Sequence, residues 1–523
     1  MSDREDPLAE EGLGGDVASD VHTIARGGAV QIAGQLSSRG LAVVFSSVAV
    51  RVLGAPGYGL YRQVAQTLAF GAQLGLAGFN YASMRFIARA RAVGDHGAVR
   101  GSARVGLAGA AAASALAAAA LLLGADEVAG LFADSPPQVP EVAGLLRLGA
   151  LYIPCFALMQ VLRYCTQAYK TMVPSVIVGN LIQPFVRFVL GVGALLAGFA
   201  VAGAVTTLVA SVAVGALAGG FYLGRMLTEA ERRAAPEARV GEMVRFALPQ
   251  AGSSMLGIQT LGLGVLVLGV FGTDAQVGLF GIALSLQGPG TLFLGGIVNI
   301  WAPVVSELHG RGDIAQLGSL YQTINRWIAT FSFPVFAALM VEPDAFVRLF
   351  AGDEGRGAAA VVAILAAGNI FYTGTGPTGY VLSMTGRPGI NFVNSACAVV
   401  LYVALGAWVV PEHGAAGMAA VDAGVTAVVN LVRVVEARVL VGVQPFGRTF
   451  FKPVAATAGG AAVLLAWRLF PGDSVALDLG GLAVAGLVYV AALRALGMDA
   501  EERAVLERIK RRGLRGRGRA DVS

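Results

Sequence analysis

The stretch from Gly28 to Val50 reads GAVQIAGQLSSRGLAVVFSSVAV. As a helix rising 1.5 Å per residue it covers about 35 Å, enough to cross roughly 30 Å of hydrocarbon. Apolar residues occupy most of its circumference, so water is the wrong solvent for those sides. Its one cation, Arg39, stands near the middle, and Gln35 and Gln31 lie four and eight residues before it on the same face. An arginine at bilayer depth costs about 2.5–3.5 kcal/mol on insertion scales, so it usually faces a wet cavity or a partner. The segment reads as a membrane span with one polar side.

The rest of the chain repeats that pattern. Of 523 residues, 56% are hydrophobic and 14% charged, whereas soluble domains run near 25% charged. Apolar runs between charged or Pro/Gly breaks mark fourteen spans: 28–50, 59–83, 103–124, 143–163, 173–198, 202–224, 246–271, 277–300, 326–342, 358–383, 390–410, 416–437, 450–470 and 476–497. The 72 glycines suit helices that approach closely. The expected fold class is all-α, a polytopic membrane protein of about fourteen transmembrane helices. Cys155, Cys165 and Cys397 have no metal-ligand spacing and read as small core residues. The acidic start, residues 1–25, reads as a cytoplasmic tail, since it lacks the charged n-region and short apolar run of a signal peptide.

Basic residues set the direction. With a cytoplasmic N-terminus, the even-numbered connections collect nineteen Lys and Arg, among them Arg85, Arg89, Arg163, Arg232, Arg326 and Arg433. The odd-numbered ones hold three, Arg51, Arg348 and Arg356, beside acidic residues such as Asp126, Asp134 and Asp353. This bias places the even connections and both termini in the cytoplasm. The tail 498–523 carries eight Lys and Arg, a composition suited to anionic lipid headgroups; in this setting it does not indicate nucleic acid.

The halves also echo each other. Gly59-Leu60-Tyr61 matches Gly278-Leu279-Phe280, 219 residues later, and Pro174 and Asn180 match Pro388 and Asn394, 214 later. Six helices repeated in the same orientation imply two lobes related by an axis along the membrane normal, with substrate bound between them. The expected division is a lobe at 26–224, a cytoplasmic linker at 225–245, a second lobe at 246–441 and two extra helices at 442–497.

Further polar faces follow Arg39. Arg62 and Gln66 lie one turn apart in the second span, and Asn180, Gln183 and Arg187 share a face of the fifth. The expected substrate-binding set is therefore Arg39, Arg187, Gln31, Gln35, Arg62, Gln66, Asn180 and Gln183. Arg62 and Arg147 sit near the outer face, where snorkelling competes with a cavity role. Asp422 is the one deep carboxylate and the expected ion-coupling residue. Other motifs carry less. Gly374 to Gly379 spells GxGxxG inside a span with no preceding strand, which suits a helix break at Pro377 rather than a nucleotide. No metal-ligand cluster, Walker A sequence or loop-borne catalytic set occurs, so neither a cofactor nor enzymatic activity is expected.

The run from Arg51 to Tyr61, RVLGAPGYGLY, resembles the junction of helices 1 and 2 in Wzx-like polysaccharide flippases of the multidrug/oligosaccharidyl-lipid/polysaccharide exporter superfamily. Gly94-Asp95, Phe246 to Pro249, Thr385 to Arg387, Gly414 to Gly417 and Met498 to Glu502 add to the resemblance, which runs over about 26–512. It implies two six-helix lobes and alternating access. It also implies movement of an undecaprenyl-pyrophosphate-linked oligosaccharide to the outer leaflet, with glycosyltransferases and a polysaccharide polymerase as partners. Lipid II flippases, with fourteen helices and a cationic cavity, are the near alternative. Drug/cation antiporters are a more distant one, because helices 1 to 6 lack their mid-membrane carboxylate.

Overall fold

The computed structural model describes residues 8–237, 239–255, 262–469 and 474–497. Every regular element among them is helical. Ten helices are long and apolar enough to cross a membrane, and a bent pair supplies an eleventh span. Two of the ten run for 60 and 54 residues, each long enough for two crossings. Both are broken by a glycine in a backbone conformation that disfavours other residues: Gly54 (φ 71°) in α1 (Leu8–Leu76) and Gly414 (φ 54°) in the helix Pro388–Glu436. These breaks separate the span pairs 28–50/59–83 and 390–410/416–437. The expected span 246–271 lies partly outside the described residues.

Beyond α1 come α2 (Phe79–Ala92), α3 (His96–Leu123), α4 (Ala125–Phe132), α5 (Val139–Gly149) and α6 (Tyr152–Gln167). The short α7 (Val173–Val176) leads through a π-helical turn at Ile177–Ile182 into α8 (Gln183–Leu196), and α9 (Ala200–Met226) completes the first six spans. Pro184, which has no N–H to return to the previous turn, stands just after the π turn. The second span ends earlier than expected. Ala77 and Gly78 take positive φ, and a Cβ on Gly78 would fall 2.1 Å from the carbonyl oxygen of Ala247.

That contact also shows where α10 (Glu229–Arg233) and α11 (Val240–Met255) sit. Both lie against α2 and α3, at one end of the first lobe. Phe246 of α11 meets Phe86 edge to face and lies under the Arg85 guanidinium, 4.4 Å from its centroid. In α10, Glu231 is 2% exposed and bonds Arg91 Nε at 3.1 Å, the Tyr169 hydroxyl at 3.1 Å and the Thr228 N–H at 2.8 Å. Burial alone would raise its carboxyl pKa, but the donors from Thr228, Tyr169 and Arg91 hold it below the ordinary glutamate value. The segment between the lobes is thus strapped to one of them.

The second half continues with α12 (Leu263–Phe271), α13 (Asp274–Gln287), α14 (Leu292–Gly310), α15 (Ile314–Val341), α16 (Pro343–Ala351), α17 (Ala358–Thr375), α18 (Thr378–Met384), α19 (Pro388–Glu436), α20 (Phe451–Trp467) and α21 (Val475–Ala495). At Gly376-Pro377 the chain breaks between α17 and α18, as the GxGxxG reading expected. Carbonyls near the break are met by Asn325, which donates to Gly374, and by Tyr321, which donates to Thr375.

The halves meet where α1 crosses α13. A Cβ on Gly59 would fall 1.7 Å from the carbonyl oxygen of Asp274, and one on Gly278 would fall 2.0 Å from that of Ala55. Ala55 and Asp274 are 219 residues apart, as are Gly59 and Gly278. The contact is therefore its own image when the halves are exchanged, as a two-fold axis between repeats would produce. Around it, Arg51 donates to the carbonyls of Leu349 (2.6 Å) and Phe350 (3.2 Å), and Ser47 donates to Phe350 (2.5 Å). Asp274 donates its N–H to the Asp134 carboxylate and accepts from Gln138 Nε2. This end is closed.

Candidate functional site

Going down α1 from that seam, Arg39 lies twelve residues before Arg51, about 18 Å along the helix. Its guanidinium crosses to the other half, where Nη1 reaches the Gly288 carbonyl and the Thr291 hydroxyl, both at 3.3 Å. The target is a helix break. Pro289 cannot donate to Ser285, and the chain bends by 41° between α13 and the segment starting at Pro289. A cation on one lobe thus rests on exposed polar backbone of the other.

The remaining expected residues divide. Arg62 lies against Gly281 of α13, and its Nε is buried with no hydrogen-bond partner among the described residues. Gln66 borders Gly262 at the start of α12, and Asn180 sits in the π turn beside Gly34 of α1. Gln31 and Gln35 are half-buried on α1. Arg187 goes elsewhere. Its Nη2 donates to the Tyr61 hydroxyl at 2.5 Å, and its guanidinium lies 5.0 Å from the Phe45 centroid and 6.0 Å from that of Tyr61. Gln183 donates to Ser211 of α9 at 3.2 Å, inside the first lobe. Arg39 and Arg187 therefore have separate partners, one across the lobes and one within.

Asp422 in α19 accepts from the Tyr402 hydroxyl at 2.8 Å. It lines a cavity of about 220 Å³ with Gln287, Gly288, Thr291 and Asn369. Gly288 and Thr291 are also the residues Arg39 touches, so the acidic cavity and the interlobe cation share a wall.

Sequence reading assigned Arg163 and Arg433 to cytoplasmic connections, and the structure draws both into the helical body. Arg163 donates to the Ser175 carbonyl (3.1 Å) and to Gln160 (2.7 Å), against Gly179 of the π turn. Arg433 donates to the Ser395 hydroxyl at 2.9 Å while its Nε is buried without a partner among the described residues. The available signal was a polar stripe, Asn391, Asn394 and Ser395, at helical spacing in an otherwise apolar span.

The family model described as polysaccharide biosynthesis protein matches residues 24–309, more than half of the chain. The chain belongs to the polysaccharide biosynthesis protein family. No curated protein matches it by sequence. Among solved structures, this family member is similar to a lipid II flippase, MurJ, in an inward closed conformation, with a TM-score of 0.68 and 12% identity over 88% of this chain and 96% of that one. It is also similar to an inward-facing multidrug resistance MATE family transporter of the MOP superfamily, at TM-score 0.64 and 16% identity over 79% and 98% of the two chains. A MOP superfamily transporter from Pyrococcus furiosus follows at 0.54 and 17% identity, over 80% and 95%. At these identities the likeness shows the fold. This polysaccharide biosynthesis protein is a multi-pass membrane protein with the fold that these solved structures share.

Proposed function

We propose that the protein is a flippase that carries a polyprenyl-pyrophosphate-linked oligosaccharide from the cytoplasmic to the outer leaflet of the bacterial cytoplasmic membrane. The observation that carries this reading is Arg39, a cation at mid-span that bridges the two lobes onto a broken helix. A guanidinium offers a planar fork of donors suited to phosphate oxygens, and burial leaves little water to screen it. A pyrophosphate arriving between the lobes would replace the Gly288 carbonyl and Thr291 hydroxyl as acceptors for Arg39 and supply one for the unpartnered Nε of Arg62. Ligand binding would thereby release an interlobe contact, which couples occupancy to lobe movement. A lipid II-type substrate offers the same pyrophosphate. The family match favours a polysaccharide precursor.

The test is rescue of surface polysaccharide in a deletion strain at matched protein abundance. Arg39→Ala is expected to lower transport by more than about tenfold and Arg39→Lys by less, because lysine keeps the charge but not the fork. Full rescue by Arg39→Ala would remove the cationic mechanism. Asp422, beside the same wall, is the proposed coupling acid, and unchanged transport in Asp422→Asn would retire it. For orientation, a reporter active only outside the cytoplasm should work after Ala133 and be silent after Ala235; activity at Ala235 overturns the assignment.

A further inference from the structure

At one end of the second lobe, α18 and α19 bring together polar side chains that the proposed pyrophosphate site does not use. The first half of α19 supplies Asn391, Asn394 and Ser395, and its second half returns with Arg433 and Glu436. Some of the polar capacity is satisfied locally. Ser395 donates to the Asn391 carbonyl at 2.9 Å, Asn391 Nδ2 donates to Ser383 at 3.1 Å, and Asn394 donates to Glu436 at 2.5 Å. Two atoms are left over: the Nε donor of Arg433 and the Oδ1 acceptor of Asn391 are both buried without a partner among the described residues. A buried polar atom without a partner costs roughly 1–3 kcal/mol, which native proteins tolerate chiefly where a ligand, water or ion completes the set.

The neighbourhood gives the missing ligand a direction. Ser383, to which Asn391 donates, belongs to α18, and α18 packs against α14, where Arg39 Nη2 lies 3.6 Å from the Cβ position of Gly295. The cluster is therefore one helix away from the cation assigned to the pyrophosphate. Glu436 offsets part of the Arg433 charge, but one of its oxygens is engaged by Asn394. A cationic fork and an amide acceptor suit a hydroxylated ring bearing an anionic substituent: the cation takes the anion and the amide accepts from a hydroxyl.

We propose that Arg433 and Asn391 form a glycan subsite that binds an acidic sugar, carried by the same lipid-linked substrate whose pyrophosphate lies at Arg39. The subsite rests on the flippase reading and goes beyond it by naming the sugar class. Such a site lets the protein distinguish a finished acidic repeat unit from the bare carrier, since the two differ only in what reaches Arg433.

The experiment is equilibrium binding to the full-length protein in nanodiscs, with three probes: polyprenyl pyrophosphate, the same carrier with a neutral disaccharide, and the carrier with a disaccharide ending in a uronic acid. Wild type should bind the uronic acid probe roughly ten- to a hundredfold more tightly than the neutral one. Arg433→Gln should erase that preference without changing affinity for bare polyprenyl pyrophosphate, while Arg433→Lys keeps part of it. Arg39→Gln should weaken all three probes together. A wild-type protein without the preference, a preference that survives in Arg433→Gln, or equal losses on all three probes in both Arg433 variants would overturn the subsite. Failure of wild type to bind even bare polyprenyl pyrophosphate would overturn the flippase reading, and the subsite with it. A phosphate-substituted neutral disaccharide distinguishes sources of the negative charge. Binding as tight as that of the uronic acid broadens the ligand class to any anionic sugar, and weaker binding restricts it to carboxylates; both support the site.

Discussion

The two ends of the lobe interface are built on opposite terms. At one end, Gly59 and Gly278 let backbone meet backbone, and the surrounding hydrogen bonds are largely completed by carbonyls of Leu349 and Phe350. Towards the other end the interface is held by side chains: Arg39 reaches its partners at 3.3 Å, and among the described residues the Arg62 Nε has none. One end is closed by shape and the other is left incomplete by charge. A seal needs no ligand, whereas a binding cavity must leave something for a ligand to satisfy.

The comparison breaks most readily at the seal. Gly59→Ala adds one methyl group where only 1.7 Å is available, so the lobes must part at that point. Labelling of Ala55→Cys by an impermeant thiol reagent from outside should then accelerate on the order of tenfold or more, in a background lacking Cys155, Cys165 and Cys397. Gly193→Ala, where the methyl group meets nothing within 4 Å, should leave the rate unchanged. An unchanged rate in Gly59→Ala would mean that the glycine seam does not govern closure.

A second contrast separates the two central arginines. Arg187→Ala removes a hydrogen bond and ring contacts inside one lobe and should destabilise the protein by about 1–3 kcal/mol. Arg39→Ala should change stability by no more than about 0.5 kcal/mol while abolishing most transport. Thermal melts of the purified variants measure the first quantity and surface polysaccharide the second. Equal destabilisation by both would erase the distinction between a scaffold arginine and a ligand-facing one.

The smallest effect concerns the strap. Glu231 has its carboxyl pKa held below the ordinary glutamate value by its hydrogen bonds, so its stabilising contribution is present above that ordinary value and is lost as pH falls through the depressed one. Hydrogen exchange across 227–237 should therefore stay slow from neutral pH into the glutamate range and quicken in stronger acid, after correction for intrinsic rates. In Glu231→Gln it should be faster already at neutral pH, and the acid-dependent step should vanish. An acid-dependent step that persists in Glu231→Gln would assign it to another group.

The membrane character of the chain and the breaks near Gly54, Pro377 and Gly414 were legible because apolar length, glycine and proline act locally. The break at Gly78 was not, because its cause is the backbone of Ala247, 169 residues away. Arg39 announced itself by standing in mid-span. Arg433 did not, since its position near a span end matches the positive-inside pattern equally well and only the fold shows that it turns towards Ser395. Arg187 shows the reverse error of emphasis: its depth was readable, but the rings of Phe45 and Tyr61 that occupy it came from another helix.

The reciprocal seam has a genetic consequence. Gly59 and Gly278 perform one task from two codons 219 positions apart, so damage at either should give the same phenotype. A suppressor of one should appear beneath it on the facing helix, near Asp274 or Ala55. The two sites behave as a single locus written twice.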